Sequence, residues 1–193
     1  MGFTRAELEA CRGKSVPDLV GEGLRLLFVG INPGLWTAAA QAHFAKRGNR
    51  FYPALNFAGL TDHVIDASAG FRIEDTHQLI SKGIGITNIV NEATARADEL
   101  SADQLRQGGH DLENKVARLR PVVVVVLGLT AYRVAFNRPK AANGWQVNDL
   151  AGTKLMVAGN PSGLNAHQTV ASLAEMFREA ADVAGIANRA SVD

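Results

Sequence analysis

Apolar positions along this chain fall into two patterns. Short, mostly apolar runs occupy residues 24–29, 85–90, 122–127 and 154–158, the third of them unbroken, each bounded by glycine, proline or polar residues. Runs of that length, rich in Val, Ile and Leu, predict strands of a sheet covered on both faces. Longer stretches repeat their apolar residues every three or four positions. Leu105, Leu112, Val116 and Leu119 follow Ser101-Ala102-Asp103-Gln104, a capping box, and Pro121 ends the run. Residues 170–184 carry an equally clear amphipathic pattern, and 51–60, 73–82 and 129–136 read as further helices. Thr4-Arg5-Ala6-Glu7 is a second capping box that opens a short helix, while residues 38–50 read as a polar and basic loop. Strands alternating with helices predict a mostly parallel central sheet with helices on both sides. The expected fold is therefore a three-layer α/β/α sandwich, with residues 1–193 as one domain.

Composition narrows the picture. Of 193 residues, 47% are hydrophobic and 20% charged, as in globular proteins and unlike disordered chains. Lys and Arg number 20 against 19 Asp and Glu, so any attraction for a polyanion must be local. The single Cys11 excludes an intramolecular disulfide and a four-thiolate iron–sulfur site, and no Cys/His set has zinc spacing. The N-terminal residues lack a signal-like apolar stretch, and no run approaches the roughly 20 apolar residues that span a bilayer. An intracellular protein without membrane association is expected, cytoplasmic in a bacterium and nuclear in a eukaryote.

Working residues in such sheets sit in loops past the carboxyl ends of strands. Two loops, 30–50 and 159–168, qualify, and both are rich in Gly, Asn and Pro. No acidic residue lies between Glu22 and Asp62, whereas Arg25, Lys46, Arg47 and Arg50 do; the stretch from Ala151 to Ala174 is also acid-free. Such loops suit a polyanion, though glycine-rich loops carry few charges anyway. Asn32-Pro33-Gly34 and Asn160-Pro161-Ser162-Gly163 are each ordinary turn sequences when taken singly. Their pairing, each after a buried strand with an aromatic and basic loop between, is what points to a site.

The ordered set Gly30-Ile31-Asn32-Pro33-Gly34-Leu35, His43-Phe44-Ala45, Gly48-Asn49-Arg50-Phe51-Tyr52 and Asn160-Pro161-Ser162-Gly163-Leu164 resembles the mismatch-specific uracil-DNA and thymine-DNA glycosylase family. Gly85-Ile86-Thr87-Asn88-Ile89-Val90 is similar to the family's middle strand, and the likeness runs from about Leu24 to Phe177. The resemblance implies an enzyme of base excision repair that flips a base from double-stranded DNA and hydrolyses its bond to the sugar. It implies that Asn32 positions the attacking water and that Phe44 stacks on the base. Ile31, Thr37, Asn88 and Asn160 would complete the base pocket. Ser162, Gly163 and Leu164 would form the DNA wedge and meet the orphaned guanine, and Lys46 and Arg47 would contact phosphates. His43, beside Phe44, is a further candidate for phosphate contact. The chain departs from familiar bacterial relatives, which carry Ser and Arg after the wedge leucine, by having Asn165, Ala166 and His167. No metal, no organic cofactor and no dimer are implied; the expected partner is mismatched or damaged DNA met by a monomer.

Two other classes fit parts of the pattern. A small-molecule nucleoside or nucleotide hydrolase could share the sheet, but the chain lacks a Walker loop, a Gly-x-Gly-x-x-Gly fingerprint and the Asp cluster of a calcium-dependent nucleosidase. A non-catalytic mismatch-binding module could keep the loops without the chemistry.

Overall fold

The computed structural model describes residues 2–163 and 168–186. The four apolar runs form the parallel strands β1 (Leu26–Gly30), β2 (Ile84–Asn88), β3 (Val123–Leu127) and β5 (Lys154–Ala158). A two-residue strand, β4 (Gly144–Trp145), adds to β5 in antiparallel sense, and the sheet order is β2-β1-β3-β5-β4. The helices are α1 (Arg5–Glu9), α2 (Leu35–Ala40), α3 (Phe51–Phe57), α4 (Ile73–Ser81), α5 (Ala102–Leu119), α6 (Leu129–Ala135) and α7 (Val170–Ala184). The capping boxes read at Thr4 and Ser101 both form, and Pro53 is tolerated inside α3 because it falls in the first turn.

Side chains alternate across each strand and feed two cores. Leu26, Phe28, Ile86, Val123, Val125 and Met156 face α3, α4 and α7, where Phe51, Leu55, Leu79 and Phe177 are fully buried. Leu27, Val29, Val124, Val126, Leu155 and Val157 face α5 and α6, meeting Leu112, Val116, Ala131 and Tyr132. Helices thus cover both faces, and the architecture is the expected α/β/α sandwich. None of the helices among the described residues is long and apolar enough to cross a membrane.

Two glycines fix how closely α5 approaches. A Cβ on Gly108 would stand 2.4 Å from the Ile89 carbonyl oxygen, and one on Gly109 2.6 Å from that of Ala135. Glycine inside a helix costs about 1 kcal/mol against alanine, and here it lets α5 lie directly on the turn after β2 and on α6.

The structure corrects one expectation. Residues 38–50 are not all loop: α2 begins at Leu35 and reaches Ala40. Its N-cap is Gly34, which offers no side-chain cap, and six residues are too few to show a periodicity. It ends at Gln41 in the left-handed region, whose side-chain amide donates back to the Ala38 carbonyl at 2.8 Å.

Candidate active site

The parallel strands β1, β2, β3 and β5 all end at one edge of the sheet, and a cavity of about 530 Å³ opens there. Ile31, Asn32, Thr37, Phe44, Lys46, Asn88, Asn160 and Ser162 all line it, although they come from positions up to 131 residues apart (162 − 31). Gly163 stands just beyond, so close to the first loop that a Cβ on it would meet the Gly48 carbonyl oxygen at 2.8 Å. Arg47 is exposed and outside the lining. Leu164, like Asn165, Ala166 and His167, lies outside the described residues.

Asn32 leaves β1 with its side chain pinned. Nδ2 donates toward three acceptors: the Glu92 carbonyl at 2.9 Å, Thr94 Oγ1 at 2.8 Å and the Pro33 carbonyl at 3.2 Å. A flipped amide would set its oxygen against two carbonyl oxygens, so these neighbours choose the orientation. Thr94 is held in turn, donating its hydroxyl proton to the Arg96 carbonyl at 2.7 Å while its backbone N–H donates to Pro33. With Nδ2 committed, Oδ1 is the amide atom left to accept a hydrogen bond.

Phe44 adopts φ 54°, a left-handed conformation that an aromatic residue rarely takes. Its neighbours over-determine it. The Tyr52 hydroxyl donates to the His43 carbonyl at 2.7 Å, and Phe51 stacks on one face of the Phe44 ring with centroids 4.1 Å apart and planes at 29°. The ring is thereby backed on one side and borders the cavity on the other. Gly30 makes room beside it: a Cβ there would stand 2.5 Å from Asn88 Oδ1 and 3.3 Å from the Phe44 ring.

His43 does not face phosphate. It is 1% exposed, its Nε2 sits 2.9 Å from the Pro17 carbonyl oxygen, and Asn88 Nδ2 approaches its Nδ1 at 3.4 Å. Burial pushes its pKa below the ordinary histidine value, outweighing the favourable Pro17 contact and Asp18. The ring is inward because α2 and α3 turn the first loop back over the sheet, which no local pattern announces.

The two loops are laced together by Arg50. Its backbone N–H donates to the Pro161 carbonyl at 2.9 Å and its guanidinium to the Ser162 carbonyl at 3.0 Å. Arg50 thus positions the second loop, whereas the acid-free pattern offers it as a cation for DNA. Arg25 is likewise engaged elsewhere: it precedes β1 at the opposite end of the sheet and donates to the Ala184 carbonyl at the end of α7. Lys46 lines the cavity mouth and is exposed, as is Arg47, whose charge helps the Ser68 hydrogen bonds hold the Asp66 carboxyl below the usual range.

A third wall comes from the segment after β2. Thr94, Arg96 and Asp98 line the cavity, and Asp98 is paired with Arg96. The site is therefore less acid-free than the two loops alone imply. Leu127 and Thr130, at the turn from β3 into α6, close the base of the cavity. The rule that places sites past strand carboxyl ends applied equally to β2 and β3, so these residues were within its reach. Their segments lack the Asn-Pro-Gly signature that drew attention to the other two.

The protein is a parallel-sheet α/β/α sandwich with a cavity at its strand ends, lined by amides and one backed aromatic ring. A sequence model described as the uracil DNA glycosylase superfamily matches residues 17–183. The chain belongs to the uracil DNA glycosylase superfamily, and its class is that of a DNA glycosylase, with DNA as its partner. The fold is also similar to a solution NMR structure from Methanosarcina acetivorans described as a candidate uracil DNA glycosylase. That likeness has a TM-score of 0.59 at 15% identity, covering 87% of this chain and 98% of the other.

Proposed function

We propose that the protein is a monofunctional glycosylase that removes uracil from guanine mismatches in double-stranded DNA, and more weakly thymine. Ethenocytosine, which cannot pair normally, would be a further substrate. The observation that carries this reading is the amide of Asn32, held at the cavity wall through Nδ2, which leaves Oδ1 as its acceptor. Oδ1 accepts a hydrogen bond from a water and aims the water's free lone pair at the sugar C1′. The C1′–N bond breaks with its electrons passing to the base, the water oxygen bonds C1′, and the displaced water proton goes to solvent. A neutral amide cannot take that proton, so departure of the base must lead and C1′ becomes oxocarbenium-like. Leaving-group quality then governs rate.

Phe44, backed by Phe51, offers its cavity face to the flipped ring, with Ile31, Thr37, Asn88 and Asn160 around it. Lys46 and Arg47 flank the mouth on the phosphate side. Leu164 would fill the gap in the duplex as a wedge, and Ser162 and Gly163 would meet the orphaned guanine through backbone groups. Flipping costs a few kcal/mol and least at a weak pair, so uracil and ethenocytosine opposite guanine should react faster than thymine·guanine or uracil·adenine.

The test is single-turnover excision on matched duplexes, followed by alkali to cleave abasic sites. Cleavage of uracil·guanine with the stated order supports the proposal. Tight mismatch binding without cleavage would make the protein a binding module, and release of uracil from free deoxyuridine alone would make it a nucleoside hydrolase.

A further inference from the structure

Asn88 ends β2 with its amide in the cavity wall, and its shape alone does not decide which atom faces in. An amide is nearly symmetric, so its neighbours choose between offering a donor and offering an acceptor. Here the neighbour is His43. The Pro17 carbonyl, 2.9 Å from His43 Nε2, can only accept, so the proton of the neutral ring sits on Nε2. Nδ1 is left as a bare lone pair, and Asn88 Nδ2 donates toward it at 3.4 Å. A reversed amide would oppose two lone pairs. Oδ1 therefore lies on the far side, over Gly30 and beside the Phe44 ring.

The Pro17 carbonyl is itself anchored. Leu19 exchanges two backbone hydrogen bonds with Ile86, at 2.9 and 2.8 Å. Asp18 accepts from Thr87 Oγ1 at 2.6 Å and pairs with Lys115 of α5 at 2.7 Å. A continuous chain of contacts thus runs from α5 through residues 17–19 and His43 to the cavity.

We propose that His43 is a positioning residue that sets base selectivity. By holding Asn88 Oδ1 inward it makes this wall an acceptor, favouring flipped bases that offer a ring N–H over those with a bare ring nitrogen. Uracil and other lactam bases belong to the first class, and cytosine-type bases to the second. A site built around one hydrogen bond rejects partners that leave its buried group unpaired. The inference rests on the glycosylase reading above.

The charged and hydrogen-bonding groups facing His43 are Asp18, which favours its protonation, Lys115, which opposes it, and Tyr52, whose hydroxyl binds its carbonyl. In acid, a protonated Nδ1 would need an acceptor, and the Asn88 amide would turn to present Nδ2 to the cavity.

Single-turnover rates on 5-fluorouracil·guanine and 5-fluorocytosine·guanine duplexes test this, since the fluorine makes both bases leave more readily. Wild type should prefer fluorouracil. His43→Leu, which cannot orient the amide, should lose roughly tenfold or more of that preference, one hydrogen bond's worth. His43→Gln should keep most of it, because its Nε2 can donate to Pro17 and its Oε1 accept from Asn88. The wild-type preference should narrow only in acid, below the ordinary histidine pKa of about 6.5 because burial holds the His43 ring neutral further down, and that of His43→Gln should not. Asn88→Ala combined with His43→Leu should lose no more than Asn88→Ala alone. A merely structural histidine would lower both rates together and leave their ratio intact.

An unchanged ratio in His43→Leu, or His43→Gln as impaired as His43→Leu, overturns the proposal. Should His43→Leu not fold, His43→Gln and its pH profile decide. Nitrogen-15 NMR of the histidine ring gives a readout without activity: a proton on Nδ1 at neutral pH overturns the proposal by itself. The expected tautomer with no excision from either duplex, nor from uracil·guanine, instead overturns the glycosylase reading, and this inference with it.

Discussion

Asn32 and Asn88 line the same cavity from the ends of adjacent strands, and they are held in different ways. Asn32 Nδ2 meets two backbone carbonyls and a threonine hydroxyl, none of which titrates near neutrality. Asn88 Nδ2 meets the ring nitrogen of a buried histidine, which can take a proton in acid, though burial holds its pKa below the ordinary value. One amide keeps its orientation at any working pH, and the other depends on a proton. The difference teaches where robustness lies in this site: the amide proposed to hold the water is fixed by backbone, the amide proposed to read the base by a side chain.

The sharpest way to break the comparison is to delete the fixed amide. Asn32→Ala should still fold, with a modestly lowered melting temperature from its lost hydrogen bonds, yet lose about 10²-fold or more in single-turnover excision, the scale of a positioned catalytic group. Full activity in that variant would remove Asn32 from the mechanism. Thr94→Val keeps the shape of the brace but removes its acceptor. Because two carbonyls still hold Nδ2, the expected loss is roughly tenfold or less, the worth of one hydrogen bond. A loss as large as that of Asn32→Ala would show that the hydroxyl alone orients the amide.

Charge reversal at Lys46 or Arg47 touches neither corner. It should weaken DNA binding, lower the slope of log affinity against log salt by about one unit per lost contact, and leave the ratio between bases unchanged. An altered base ratio would tie these cations to the pocket rather than to phosphate.

The smallest effect is on stability. Burial lowers the His43 pKa in the folded protein, so the unfolded chain binds more protons as the solution turns acid. The neutral ring's contribution is fully present above the ordinary histidine pKa of about 6.5 and is lost as pH falls through the lower folded value. Urea titrations from pH 7 to 5 should show stability falling in wild type and falling less in His43→Gln. Asn32→Ala should keep the slope of the wild-type curve, because its acceptors do not titrate.

Much of the scaffold was legible because its signals are local. Residues 154–158 and 170–184 form their strand and helix with the bounds the pattern predicts, and the capping boxes at Thr4 and Ser101 close as read. Strand β4 was not legible, since two residues carry no alternation, and α2 was hidden behind a glycine cap. Within the site, the two Asn-Pro turns drew attention to Asn32 and Asn160, and both line the cavity. Thr94 carries no such signal, because a lone threonine in a polar stretch looks like any surface threonine. His43 and Arg50 depart from their local pattern for one reason: polarity near a basic loop suggests solvent or phosphate, while each is engaged by a partner far along the chain.

The sequence alone determined the layers, the strands that end at the site and the residue types available there, because periods of two and 3.6 and the punctuation by Gly and Pro act over a few neighbours. Only the tertiary structure decided what those residues face. Asn32 meets acceptors 60 and 62 positions away, Asn88 meets a ring 45 positions away, and Arg50 binds a carbonyl 112 positions away. Each of these bonds exists because parallel strands bring their carboxyl ends to one edge, and a hydrogen bond has direction that a hydrophobic pattern does not encode.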